Sequence, residues 1–167
     1  MTDIRGSMEG AVQYLTEHPE EARYTDSPAT AVLGEDLRVE VHGPGGERIS
    51  TDMPTGIGGR GEEPSPGWFF RAATASCVAT TVAMQAAREG LSLTSLEVVV
   101  DSESDDRGIL GMDETVPAGP LSTRVRVSAK ADGPEDHLRD VVERGTARCP
   151  VCDATKRAVD VSLEIEV

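Results

Sequence analysis

The stretch from Pro66 to about Glu89 constrains the fold most, because it predicts one long helix with almost no polar side. Ser65 is suited to the N-cap, Pro66 to the first helical position, and Gly90 to the C-terminal stop. At 1.5 Å per residue this helix would be roughly 35 Å long. Its middle has Gln85 as its most polar residue. We therefore expect a helix buried on most sides, with a partner subunit covering part of it.

Composition limits the kind of partner that the chain can bind. The 167 residues fit one domain, and with one Trp, two Tyr and two Phe the core must be mainly aliphatic. The formal net charge of −14 argues against nucleic acid as a partner, because phosphates would be repelled.

The sequence also indicates where the protein acts. No run approaches the ~20 apolar residues of a membrane span. The N-terminus has neither the basic region nor the apolar core of a secretory signal. Three cysteines are too few for a disulfide scaffold and suit a reducing compartment. We therefore expect a cytoplasmic protein without a membrane partner.

Strands before, between and after two helices predict an α+β domain. Residues 1–30 are polar and are expected to form an N-terminal arm with a short helix around Met8–Thr16, and residues 31–167 a single domain. A second helix is expected to begin at Pro134. Residues 54–67 and 105–120 are expected to be irregular. The predicted strands are Leu37–Val41, Arg48–Asp52, Leu93–Asp101, Thr123–Ala129 and Val159–Val167.

Two cysteines stand in contexts that suit thiol chemistry. Cys77 lies in the middle of the long helix, where apolar burial would raise its pKa and make it inert unless a cation is brought to it. Its spacing in the helix, taken alone, favours a structural role for Cys77 in the core, because free cysteines are commonly buried. Cys149 precedes Pro150 and is expected at a helix N-cap, where backbone N–H groups stabilise a thiolate. Cys149 and Cys152 also have the CxxC spacing of redox and zinc motifs.

We expect neither a metal nor another cofactor. A second CxxC pair is missing, and His18, His42 and His137 do not have the spacing of zinc ligands. A thioredoxin-like site is not expected either, because the CxxC does not lie between a strand and a long helix of a βαβ unit.

The two cysteine segments resemble the OsmC/Ohr family of osmotically inducible and organic-hydroperoxide-resistance proteins. Residues 64–77, PSPGWFFRAATASC, are similar to the start of that family's central helix, and residues 147–154, ARCPVCDA, to its second cysteine motif. The order of predicted elements is similar from Arg38 to Val167. The resemblance implies an OsmC-like fold, with antiparallel sheets around a long buried central helix in an intertwined homodimer.

The resemblance also implies an activity. Active members are thiol-dependent peroxidases that reduce organic hydroperoxides. Cys77 would be the peroxidatic thiolate and Cys149 the resolving cysteine, and an external dithiol would reduce the disulfide between them. The activating arginine would come from the N-terminal hairpin, with Arg48 and Arg60 as candidates. Residues expected to line the substrate pocket are Trp68, Phe70, Thr74 and Met84.

The chain departs from the family at two positions that bear on activity. The family's Glu, ten residues before the first cysteine, is Gly67 here, and Glu62 or Glu63 would have to replace it. The family's Ser or similar residue after Cys-Pro-x is Cys152, a second candidate for the resolving role. Trp68, Phe69 and Phe70 at the helix start, with residues 105–120, suggest a divergent branch.

Three hypotheses for function follow. The leading one is a hydroperoxide reductase that uses Cys77 and Cys149. A second is a disulfide-exchange protein that uses Cys149 and Cys152, with Cys77 in the core. The third is an OsmC-like protein that binds a small apolar molecule and has no peroxidase activity.

Overall fold

The computed structural model describes residues 3–157 and 159–167. The chain divides into two compact units. One comprises Glu9–Ala72, and the other the described residues up to Met8 together with Ala73–Val167. The assignment of 1–30 as an arm and of 31–167 as a single domain stays a prediction.

A three-stranded antiparallel sheet organises the unit Glu9–Ala72. Strand β1 is Thr30–Leu33, β2 is Val39–His42 and β3 is Arg48–Thr51, in the order β1-β2-β3. A turn joins β2 to β3, with Gly46 at a φ of +92°. Strand β1 was not predicted, because it lies at the end of a polar segment. The short helix expected near Met8 is longer, and α1 covers Ile4–Glu17.

The buried carboxylate of Asp52 holds the irregular segment after β3. It accepts the backbone N–H groups of Met53 at 2.7 Å, Arg60 at 3.1 Å and Glu62 at 3.2 Å. Burial raises the pKa of Asp52, but the N–H groups of Glu62, Met53, Arg60 and Gly61 favour the ionised form more, and the net pKa is lowered. One buried carboxylate thus holds the backbone of a loop that is rich in Gly and Pro.

Helix α2, Pro66–Arg88, begins and ends where local chemistry predicts. The Ser65 Oγ accepts the N–H of Trp68 at 3.2 Å, and Gly90 ends the helix at a φ of +70°. The expectation of burial on most sides is wrong within one chain. The buried residues form one stripe (Thr74, Val78, Val82, Gln85 and Ala86), whereas Ala73, Ser76, Thr80 and Met84 are exposed on another face. A helix packed against one sheet buries one face only.

The sheet that packs on α2 has two antiparallel strands. Strand β4 is Leu93–Glu103 and β5 is Ser122–Ala131. Their inward side chains, Leu96, Val98, Val125 and Val127, pack against Val78 and Val82 of α2. Residues 105–120 between the strands include a short helix α3, Asp106–Ile109, whose N-cap is Asp105.

Helix α4, Glu135–Ala147, starts one residue after the predicted Pro134, and α5 covers Pro150–Lys156. Val141 of α4 is fully buried together with Ala86 and Leu91. Gly145 lies against the backbone of Val82, so α4 approaches α2 closely. Helix α5 starts directly after this contact, which brings its first turn to the middle of α2.

The prediction of a strand over Val159–Val167 is wrong for this single chain. These residues have no regular secondary structure, and Val161 is 93% exposed and Leu163 81% exposed. Alternation of apolar and polar residues makes a segment suitable for a sheet edge, but a strand forms only where a neighbouring backbone supplies hydrogen bonds. In the described part of the chain, no helix is long and apolar enough to cross a membrane.

Candidate functional site

The three cysteines meet where the middle of α2 contacts the start of α5. Cys149 is fully buried and Cys152 nearly so, in a cluster with Val78 and Val82. Cys77 is half-buried and packs against the same cluster. All three are free thiols. Cys77 and Cys149, which are 72 positions apart in the sequence, are therefore neighbours, and their roles stay predictions.

The first turn of α5 directs two backbone donors at the sulfurs. Cys149 is the N-cap, and Pro150 at the next position has no N–H. The first available donors are therefore those of Val151 and Cys152. The N–H of Cys152 donates to the Cys149 Sγ at 3.4 Å, and the N–H of Val151 donates to the Cys77 sulfur.

Opposing influences act on the ionisation of Cys77. Burial raises the pKa of its thiol, and the Val151 N–H lowers it. The hydrogen bond to the Cys149 side chain and the charge of that group raise the pKa further. The net pKa is raised, so these neighbours alone leave Cys77 mainly as the neutral thiol at pH 7.

A cavity of about 420 Å³ opens beside Cys77. The α2 side chains that line it include the thiol itself and the predicted pocket residue Met84. Arg148 approaches from the C-terminal end of α4, Pro150 from the start of α5, and Met8 from α1. The full lining is Met8, Cys77, Thr80, Thr81, Met84, Gln85, Arg148 and Pro150. The cavity has the size and the mostly apolar wall of a small-molecule site.

A polar network fixes the side chain of Arg148 at the cavity. Its Nη1 donates to the Gln85 Oε1 at 2.6 Å, and the Gln85 amide donates to Glu89. Glu89 also contacts His137 at 3.0 Å and receives two N–H groups from Arg144. Hydrogen bonds from Gln85, His137 and Arg144 outweigh partial burial and lower the pKa of Glu89 to about 2.

The other predicted site residues lie in different surroundings. Thr74 is buried in α2. Trp68 is half exposed and packs edge to face on Phe69, with ring centres 5.2 Å apart. Arg60 pairs with Asp36 at 2.7 Å and Glu35 at 2.9 Å, and Arg48 is on β3. Trp68, Phe70, Arg48 and Arg60 belong to the unit Glu9–Ala72, and their roles stay predictions.

Sequence reasoning missed two arginines. Arg38, rather than Arg48 or Arg60, holds the carboxylates suggested as replacements for the family Glu, with Glu63 at 3.3 Å and Glu62 at 3.8 Å. Arg38 is the second residue of the predicted strand Leu37–Val41, where a charged residue is part of the expected alternation and gave no separate signal. Arg148 adjoins Cys149, and its position beside the second cysteine was the one available signal.

Among the described residues, the three metal-ligating side chains that approach one another within 4.8 Å are His18, Glu20 and Glu21. This group contains no cysteine, and both glutamates are exposed. It has no part in the arrangement around Cys77.

A protein-family model described as OsmC-like protein matches residues 59–164, a range that includes all three cysteines. No curated protein matches the sequence significantly.

Solved structures share the fold. An OsmC-like protein from Mycoplasma pneumoniae aligns with a TM-score of 0.68 at 16% identity, over 81% of this chain and 91% of its own. OsmC from Legionella pneumophila, titled an organic hydroperoxide resistance protein, aligns with a TM-score of 0.60 at 21% identity, over 87% of this chain and 99% of its own. OhrB of Bacillus subtilis, an organic hydroperoxide resistance protein, aligns with a TM-score of 0.53 at 19% identity, over 85% of this chain and 98% of its own. At these identities the likeness establishes the fold, and the predicted mixture of helices and antiparallel sheets is confirmed.

Proposed function

Because the chain belongs to the OsmC-like protein family, we propose that it is a thiol-dependent peroxidase that reduces organic hydroperoxides. The observation that carries this proposal is the contact between Cys77 and Cys149 beside the 420 Å³ cavity. The titles of the Legionella and Bacillus structures, which name organic hydroperoxide resistance, support the choice of substrate.

The reaction uses two sulfurs and an external dithiol. The Cys77 thiolate attacks the terminal peroxide oxygen and the O–O bond breaks. Cys77 becomes a sulfenic acid, and the alkoxide that leaves takes a proton from water to become the alcohol. The Cys149 sulfur attacks the Cys77 sulfur and releases water, which forms the Cys77–Cys149 disulfide. The dithiol then reduces this bond by exchange and is itself oxidised to a disulfide. In the alternative resolution, Cys152 takes the place of Cys149.

The proposal includes a cation that activates Cys77. The described neighbours raise the pKa of Cys77, and the Val151 N–H opposes them only in part. A thiolate at pH 7 therefore requires a positive group, and Arg48 and Arg60 are our candidates. Substitution identifies the activating arginine, because its loss should slow alkylation of Cys77 at neutral pH.

We further propose that the active form is a cytoplasmic homodimer. One face of α2 is exposed along Ala73, Ser76, Thr80 and Met84, and the alternating segment Val159–Val167 has no sheet partner in the described chain. A second copy would cover the Ala73 and Ser76 part of this face and residues 159–167, and would leave the cavity wall of Thr80 and Met84 open to substrate. A cytoplasmic location would keep the three thiols reduced between catalytic cycles.

Hydroperoxide consumption with a dithiol reductant tests the proposal. The wild type should turn over an alkyl hydroperoxide, and Cys77→Ser should reduce the rate to that of the dithiol alone. Cys149→Ser should permit one rapid oxidation of Cys77 without sustained turnover, because the sulfenic acid is not resolved. Full activity in Cys77→Ser would refute the assignment.

A disulfide-exchange function of Cys149 and Cys152 is the second candidate. It is favoured by the hydrogen bond from the Cys152 N–H to the Cys149 Sγ, at the start of a helix. It is disfavoured by burial, because the Cys149 side chain is inaccessible to the disulfide of another protein. This function predicts exchange with a small disulfide that survives Cys77→Ser.

Binding without peroxidase activity is the third candidate. The raised pKa of Cys77 and the Gly at position 67 favour it, because both lower the reactivity expected of the thiol. It predicts that a small apolar molecule binds in the cavity, and that Cys77 is not alkylated at neutral pH.

A further inference from the structure

The cavity beside Cys77 contains a second chemical feature, the guanidinium of Arg148. Among the described residues that line the cavity, Arg148 is the charged one. No carboxylate of the described chain lies within 4.0 Å of its nitrogens, and the hydrogen bond that it donates goes to the neutral amide of Gln85. Arg148 is exposed to solvent, and a solvated guanidinium at the edge of an apolar cavity, without a carboxylate partner, is suited to an anionic ligand group.

The other polar groups of the cavity are already satisfied by the protein. Thr80 and Thr81 donate their hydroxyls to the Ser76 and Cys77 carbonyls at 3.0 and 3.1 Å. The Gln85 amide is shared between Arg148 and Glu89. Arginine has five N–H donors, and Gln85 uses one of them. Arg148 therefore retains most of its hydrogen-bonding capacity for a ligand.

Arg148 lies too far from Cys77 along the axis of α2 to be the group that activates the thiol. The Gln85 to which it is bound lies eight residues from Cys77, about 12 Å along a helix. The groups that influence the pKa of Cys77 are its burial, the Val151 N–H and Cys149, and Arg148 is not among them. The charge is thus placed to contact the far end of a molecule whose reactive group lies at the sulfur.

We propose that Arg148 selects organic hydroperoxides that carry a carboxylate on the order of 10 Å from the peroxide group. The peroxide lies at Cys77, the apolar linker contacts Met84 and Met8, and the carboxylate binds the guanidinium. Gln85 is a positioning residue that holds Arg148, and Glu89 with Arg144 and His137 holds Gln85. This inference rests on the proposed peroxidase function and narrows its substrate class.

The test uses an aliphatic hydroperoxy acid of that spacing and its methyl ester, at fixed ionic strength. The ratio of the two kcat/KM values is the readout, because a general loss of activity affects both substrates alike. The wild type should prefer the acid roughly ten- to a hundredfold, mainly through KM. Arg148→Gln should bring the ratio close to one, and Gln85→Leu should lower it by a smaller factor.

Arg139→Gln is the matched control, since it removes the same charge from α4 at a residue that lines a different cavity. It should keep the wild-type ratio. The proposal is overturned if the wild type treats acid and ester alike, or if Arg139→Gln lowers the ratio as much as Arg148→Gln does.

A separate measurement distinguishes failure of this inference from failure of the peroxidase proposal. If the wild type consumes neither hydroperoxide, calorimetry with the corresponding hydroxy acid and its methyl ester still tests Arg148. Tighter binding of the acid that is lost in Arg148→Gln would support the anion site without peroxidase activity. Equal binding of both compounds by the wild type would refute the site.

Discussion

Cys77 shows how one backbone donor changes the pKa of a half-buried thiol. Burial raises its pKa, and the Val151 N–H at the start of α5 is the described group that lowers it. The donor is available because Val151 is in the first helical turn, where N–H groups have no partner within the helix. The reactivity of Cys77 therefore depends on α5 as well as on α2.

Val151→Pro removes this N–H at a position where a helix tolerates proline. Because the thiolate loses its donor, the pKa of Cys77 should rise further, and alkylation of Cys77 at pH 7 should slow about tenfold. Val151→Ala is the matched control, since it also loses the valine side chain but keeps the N–H. Equal alkylation rates in the two variants would show that the donor has no influence on Cys77.

Asp52→Asn should destabilise the unit Glu9–Ala72 in a manner that depends on pH. The folded pKa of Asp52 is lowered, so its contribution is present above the unfolded pKa of about 3.9 and is lost as the pH falls through the folded value. At pH 7 we expect the urea midpoint to fall by roughly 0.5 M. The difference from wild type should shrink below about pH 4. A constant difference between pH 7 and pH 3 would contradict this assignment.

At the scale of elements, local sequence signals located α2 to within one residue at its C-terminal end. Ser65, Pro66 and Gly90 act through neighbours in the sequence, so their effect is readable without the fold. Strand β1 and residues 159–167 are different. Whether a segment pairs depends on the backbone beside it, and that information is tertiary. The alternation of apolar and polar residues predicted strand pairing at residues 159–167, where the single chain has none. It did not predict strand β1, which is paired with β2.

The close packing of α4 on α2 depends on Gly145. A Cβ there would lie 2.6 Å from the Val82 Cα, so Gly145→Ala must push the helices apart. We expect the free energy of unfolding to fall by about 1–3 kcal/mol. Gly10→Ala in α1 is the control, because nothing lies within 4 Å of its added Cβ and alanine favours a helix. A Gly145→Ala variant as stable as wild type would show that the helices separate without cost.

The candidate site was predictable only in part. The pairing of Cys77 with Cys149 followed from the resemblance of their two segments to a family, and the N-cap position of Cys149 followed from the proline after it. The contact of Arg148 with Gln85 joins residues 63 positions apart and leaves no local pattern. Met84 lines the cavity because seven residues, about two helical turns, place it on the same face of α2 as Cys77, and its role with substrate stays a prediction.

For the whole molecule, the exposed apolar surface is the feature that a second copy would explain. Residues 159–167 place Val161, Leu163 and Ile165 at alternate positions, and all three are more than 70% exposed. Alternate apolar side chains form one face of a strand. Our homodimer proposal expects that face to be buried in the assembly.

Light scattering during size-exclusion chromatography tests the homodimer. The wild type should elute with twice the chain mass. Leu163→Glu should shift the protein toward monomer, because it places a charge on the face expected to be buried. Ser162→Glu adds the same charge to the opposite face and should leave the dimer intact. A monomeric wild type, or equal effects of the two variants, would contradict the proposal.

The most direct test of the account is the identity of the disulfide that forms first. Reduced protein is mixed with one equivalent of an alkyl hydroperoxide, trapped with acid and alkylated, and its peptides are mapped by mass spectrometry. The account predicts a linkage between Cys77 and Cys149, which persists in Cys152→Ser and is absent from Cys77→Ser. A Cys149–Cys152 linkage that forms equally well in Cys77→Ser would contradict it.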